Sequence, residues 1–128
     1  MFKLVKERTA WWPVVWNVPT EDGGEVEEVK IELLFVIKDE DGVAELTSKA
    51  NEIDKVFPDL SPAERRAKAM MPIVRAWRGV GEQGEVDVPL AFTEDHFAAL
   101  LKLPATYETI LAAYGNCANG KGTLRVKN

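Results

Sequence analysis

The chain has 128 residues, 46% of them hydrophobic, and 16 Lys and Arg against 21 Asp and Glu give a formal net charge of −5. That length is one domain's worth and buries a core without staples. The acidic balance argues against nucleic acid or an anionic membrane as the main partner, since both select a basic footprint, and no apolar run approaches the ~20 residues that span a bilayer.

In chain order, Phe2 to Val5 reads as a short strand closed by Lys6, Glu7 and Arg8. Trp11 to Val18 is the first strong strand. Trp12, Val14, Trp16 and Val18 alternate with Trp11, Pro13, Val15 and Asn17, and Pro13 marks an edge strand or a bulge. Pro19 to Glu25 is turn chemistry, with Asp22-Gly23-Gly24 supplying positive φ. Glu28 to Lys38 follows as the longest strand. Val29, Ile31, Leu33, Phe35 and Ile37 share one face, while the other changes from Glu28, Lys30 and Glu32 to Leu34 and Val36. The strand therefore enters from solvent and ends covered on both sides.

Helical spacing predicts a helix over Val43 to Val56, with Ala44, Leu46, Ala50, Ile53 and Val56 as a loose stripe. Ser61-Pro62-Ala63-Glu64 is a capping-box start. Ala63, Ala67, Met70, Val74 and Trp77 continue at three- and four-residue spacing, a helix face that Pro72 should kink. Gly79, Gly81 and Gly84 break that helix, and Val86 to Leu90 is extended. Thr93 caps the next helix, with Phe97, Leu100 and Leu101 on its buried edge. Beyond Leu103-Pro104, Tyr107, Ile110, Leu111 and Tyr114 mark a last helix that Gly115 should terminate. The expected fold is α+β in a single domain: an N-terminal antiparallel β-hairpin or small sheet over residues 1–38, about four α-helices over 43–114, and a loose tail over 115–128 with at most one weak strand near Leu124 to Asn128.

Catalytic chemistry is thin. His96 and Cys117 are the single histidine and cysteine. No motif joins them, so a helix-surface histidine and a small tail residue is the more economical reading. One cysteine closes no internal disulfide, and the opening stretch lacks a signal peptide's layout, so a cytoplasmic setting is expected. Metal sites need clustered ligands at short spacing, and the acidic loops around Glu21 to Glu28 and Asp39 to Asp41 lack the calcium-loop pattern. Gly79 to Gly84 spells a dinucleotide-like glycine pattern, but a helix is expected before it and an extended segment after it, the wrong context. Its role is to turn the chain. Arg65, Arg66, Lys68, Arg75 and Arg78 make a basic side without the aromatic interleaving of a single-strand binder. Trp11, Trp12 and Trp16 put tryptophan on both faces of one strand, which points to protein contact on the face the helices do not cover.

Two stretches carry a resemblance. Residues 1–37 run through a short strand, an aromatic-plus-proline strand, an acidic glycine turn and an alternating strand. Trp77, Gly79-Val80, Glu82 to Glu85, Val88-Pro89-Leu90-Ala91-Phe92, Thr93-Glu94, Leu100-Leu101 and Pro104 form the second pattern, followed by Ala112-Ala113-Tyr114. Both resemble the tail assembly chaperones of long-tailed bacteriophages, the small lambda G-like family; the matches cover most of residues 1–38 and 74–114. The resemblance implies a non-enzymatic factor without cofactor or metal, acting in the cytoplasm of a bacterial host. It would bind the tape measure protein, help recruit the tail tube protein, self-associate, and be absent from the mature virion. It also implies a frameshift-extended form that meets the tube subunit, and Val126-Lys127-Asn128 can be encoded as the slippery GTA AAA AAC. Candidate partner-binding residues are Trp11, Trp12, Trp16, Trp77, Phe97 and Leu101, with the Trp77 to Leu101 corner and the Trp11 face as walls of a client groove. A structural minor tail or head-tail connector protein of a phage or prophage is the alternative.

Overall fold

The computed structural model describes residues 1–84 and 86–122. The alternation in the first third of the chain folds as a long hairpin. β1 (Glu7–Pro19) and β2 (Val26–Lys38) pair antiparallel without a register break, from Glu7 opposite Lys38 to Pro19 opposite Val26. The turn closes through the Thr20 N–H, which donates to the Glu25 carbonyl at 2.9 Å, and Gly24 takes φ 84°, which a side chain would resist. β1 begins ahead of the expected Trp11, at Glu7, whose carboxylate meets the Lys38 ammonium at 3.1 Å. Phe2–Val5, expected as a short strand, carries none and is exposed. β2 ends opposite Glu7 and leaves those residues nothing to pair with.

The third strand departs from the sequence expectation. β3 (Val74–Arg78) pairs antiparallel with Glu32–Phe35 of β2, giving the order β1-β2-β3. The spacing of these residues predicts the end of a kinked helix. Instead α2 (Pro62–Met70) stops ahead of Pro72, and Met71–Ile73 makes one 3-10 turn before the strand. A proline inside a helix lacks the N–H and clashes with the carbonyl four residues back. The misleading spacing has a physical cause. Leu33 faces Trp77 and Leu34 faces Ala76, but Phe35 faces Val74, so Arg75 is an extra residue in a bulge. The bulge puts Val74 and Trp77, three apart, on the same face, where a regular strand would alternate.

The inner sheet face meets the helices. Val14, Ile31, Leu33, Phe35, Val74 and Trp77 join Ala67, Phe97, Leu101 and Ile110 in one core cluster. Each fully buried large apolar side chain contributes about 1.5–3 kcal/mol through removal from water. The expected change along β2 is also present: Lys30 on the opposite face is exposed, Leu34 is half-buried and Val36 is buried.

α1 (Glu40–Val56) starts at Asp39, whose carboxylate accepts from the Gly42 N–H at 2.9 Å. It buries no residue fully, and Leu46, Ala50 and Ile53 give it a half-buried stripe. α2 has its capping box, with the Glu64 N–H donating to Ser61 Oγ at 3.2 Å and the Ser61 N–H to Glu64 Oε1 at 3.4 Å. The Ser61 hydroxyl and then the Ser61 backbone N–H, both acting on the Glu64 carboxyl, hold it below its usual range. α3 (Glu94–Leu101) is capped by Thr93 as expected and tied to α2 by Lys68–Glu94 at 2.9 Å.

α4 (Thr106–Ala118) packs against β1. It runs through Gly115, the expected stop, because Ile110, Ala113 and Cys117 keep one face buried for a further turn. Residues 123–128, with the weak strand expected near Leu124 to Asn128, lie outside the described residues. The fold is thus α+β, a three-stranded antiparallel sheet and, among the described residues, four α-helices.

Two substitutions test the backbone around α4. Ala105 precedes the helix at φ 66°, in the left-handed region that costs a residue with a Cβ about 1 kcal/mol. Gly115 sits mid-helix, where an added Cβ would meet nothing within 4 Å. Ala105→Gly and Gly115→Ala should each stabilise the fold, by up to about 1 kcal/mol. Urea unfolding with unchanged m-values checks both.

Candidate functional site

Of the six candidate residues, Trp77, Phe97 and Leu101 are buried, and strand parity sorts the three tryptophans of β1. Trp77 faces Leu33 on the inner sheet face and is 8% exposed; its indole N–H donates to the Leu90 carbonyl at 2.7 Å. Phe92 and Phe97 meet its ring edge-on, at centroid distances of 5.2 and 6.5 Å. Phe97 is 0% and Leu101 4% exposed. The side chains of Trp77, Phe97 and Leu101 are therefore interior and offer no contact surface to a partner, which corrects their expected place in a groove wall. Trp77 also ends a strand and not a helix, so the second resembling stretch differs there from its pattern.

Gly79 to Gly84 turns the chain, as expected. Gly79 takes φ 88°, a left-handed conformation that a side chain would strain. The return is tied by the Leu90 N–H to the Val80 carbonyl at 2.9 Å, with one isolated bridge between Gly81 and Pro89.

The N-terminal tryptophans remain near the surface. Trp12 and Trp16 point toward the helices and are half-buried, packed on the margin of the core. Trp11 points the other way and is 37% exposed, beside exposed Val15. On that outer face the Arg78 guanidinium lies 4.2 Å over the Trp11 ring and forks onto Glu32 with two hydrogen bonds of 3.1 Å. A planar guanidinium can stack and bind a carboxylate at once, which a lysine could not reproduce. The Arg78 hydrogen bonds hold the Glu32 carboxyl below its usual range.

β1 is an edge strand, and Pro13, lacking an N–H, interrupts its free edge. Alongside runs α4. Between them lies a groove of about 320 Å³ lined by Trp12, Pro13 and Val15 on one wall and Thr109, Ala112, Ala113 and Asn116 on the other. Its aromatic and proline wall faces a helix of small side chains, a surface that admits close approach. The α4 wall is not foreseeable from the sequence. Ala112 and Ala113 read there only as part of the last helix, and alanine carries no chemical signal of its own.

Among the described residues no three His, Cys, Asp or Glu converge on a metal-sized site, and no helix is long and apolar enough to cross a membrane. His96 Nδ1 lies 2.6 Å from the Ala91 carbonyl, so that nitrogen carries a proton and donates to it. Cys117 is buried on α4, and burial pushes its thiol up, opposite to the shift that activates a nucleophile. Comparisons of the chain with protein-family models, with curated proteins and with solved structures found no match.

Two measurements separate core from surface. Phe97→Ala should cost about 3–5 kcal/mol of stability as a large-to-small core change, read by chemical denaturation. The Glu32 contribution is present above its unfolded pKa and lost as pH falls through the depressed folded one. Side-chain carboxyl NMR should give Glu32 a midpoint below the ordinary glutamate value, and Arg78→Gln should bring it back.

Proposed function

We propose that this protein is a non-enzymatic assembly factor of the phage tail-assembly-chaperone kind, working in the cytoplasm of a bacterial host. It holds an amphipathic helical segment of the tape measure protein, several copies coat the client, tail tube subunits are recruited to the complex, and the factor leaves before the virion is complete. The observation that carries the reading is the β1–α4 groove, continuous through Val15 with the exposed Trp11 face. Its small-residue wall suits a helix laid in a groove, and Pro13 disfavours the other common mode, addition of an extended strand to the sheet edge. The resemblance of residues 1–37 supports the same reading, since those residues build the hairpin that forms one wall. The net charge of −5 favours it too, because coated clients repel one another and stay dispersed.

Co-expression with the tape measure protein of the same gene cluster tests it. The client should move into the soluble fraction and co-purify. Ala112→Glu, a charge on an exposed position of the α4 wall, should abolish both while leaving the thermal midpoint within a few degrees. An unchanged client yield with and without the protein refutes the reading. Stoichiometric recovery of the protein in purified particles, seen by mass spectrometry, would make it a structural tail part instead.

A further inference from the structure

A second cleft, separate from the β1–α4 groove, lies on the helical layer, lined by α1, α2 and the first turn of α4. It encloses about 290 Å³. Ala50 and Ala69 give it small apolar walls, and two arginines from adjacent positions of α2 reach it with different commitments. Arg65 is occupied: its Nε is 3.5 Å from Asp54, and its Nη1 donates to the carbonyls of Leu60 and Pro58. Arg66 is not. Its guanidinium lies 4.2 Å over the Tyr107 ring, and among the described residues no carboxylate comes within salt-bridge distance of it. Two guanidiniums against the Asp54 carboxylate leave one positive charge in the cleft, within a chain that is acidic overall.

Stacking fixes the plane of a guanidinium and leaves its edge N–H donors pointing outward, the arrangement that receives a carboxylate in two parallel hydrogen bonds. We propose that Arg66, held on Tyr107, is a binding site for an acidic side chain, glutamate or aspartate, of a partner polypeptide. One uncompensated charge matches a monoanion, whereas a phosphate dianion would also face Asp54. The volume is at the lower limit of small-molecule pockets and suits one side chain whose methylenes lie against Ala50 and Ala69. A terminal carboxylate is captured by clustered backbone N–H groups. Two backbone donors of the α2 first turn beside this cleft are engaged, the Glu64 N–H on Ser61 Oγ and the Arg65 N–H on the Ser61 carbonyl.

The test is a proton–nitrogen NMR titration of the full chain with four probes: N-acetyl-glutamate α-amide, N-acetyl-glutamine α-amide, N-acetyl-alanine and inorganic phosphate. The glutamate probe should produce saturable shifts at Ala69, Tyr107 and the Arg66 side-chain N–H. Arg66→Gln should weaken that binding about tenfold or more, and Arg66→Lys, which keeps the charge without the fork, by an intermediate factor. Arg66 is exposed, so both variants should keep the wild-type circular dichroism spectrum. Should Arg66→Gln fail to fold, the Arg66→Lys titration decides alone. The proposal is overturned if the glutamate probe gives no saturable shift, if the glutamine, alanine or phosphate probe binds as well, or if the folded Arg66 variant binds as the wild type does.

Discussion

The position of Trp77 sets the rest of the structure. Its ring lies on the inner sheet face opposite Leu33, which in turn faces Trp12, so one row of large side chains crosses all three strands. The same ring closes on Phe92 and Phe97, and its N–H holds the Leu90 carbonyl. A buried indole N–H without an acceptor costs about 1–3 kcal/mol, so the return of the chain at Leu90 is coupled to the strand that carries the tryptophan. β3 is only five residues long and would be a weak addition to a hairpin by itself. The aromatic cluster makes it part of the core and docks α3 against it.

The far end of the helical layer is held by hydrogen bonds from side chains that are not charged. Thr106, buried completely, shares its hydroxyl proton between the Leu100 and Leu103 carbonyls at 2.9 Å each and so closes the α3–α4 corner. Tyr114 stands edge-on to Phe35 at 5.3 Å and donates to the Val36 carbonyl at 3.2 Å, which fixes α4 against β2. The ion pairs, by contrast, lie at exposed or half-exposed positions, where such pairs contribute about 0–1 kcal/mol. Packing and neutral hydrogen bonds therefore place the helices, and the charges are free to shape the surfaces.

How much is legible in the sequence follows from how local each signal is. The hairpin, its faces and the starts of α2 and α3 rest on alternation and capping residues within a few positions of one another, and all are present in the structure. The helical reading of Val74 to Arg78 fails because the bulge at Arg75 exists only against β2, and no property of the segment itself announces it. The stop at Gly115 fails because its terminating tendency, worth about 1 kcal/mol, loses to the burial of Cys117 two residues further on. The same distinction governs the site. Trp11, on a strand with clear parity, lies on the uncovered face as its position in the alternation requires. Phe97 and Leu101 fit both a buried edge and a partner surface in sequence, and burial excludes the second. The α4 wall depends on which helix docks beside β1, a tertiary fact.

The composition of β1 has one consistent explanation in this geometry. Its even positions, Trp12, Val14 and Trp16, anchor it to the core margin, and its odd positions, Trp11, Pro13 and Val15, are left outside. Anchored side chains on a paired strand give the outer set a fixed geometry, so little conformational entropy remains to be lost on binding. An exposed tryptophan on an edge strand is ordinarily an aggregation hazard. Here Pro13 removes a backbone donor from that edge, and Arg78, neutralised by Glu32, covers one face of the Trp11 ring without a net charge. Among the described residues, Pro13, Val15 and Ala112 stay exposed where β1 and α4 flank the groove. The missing donor at Pro13 disfavours pairing of a further strand along this edge.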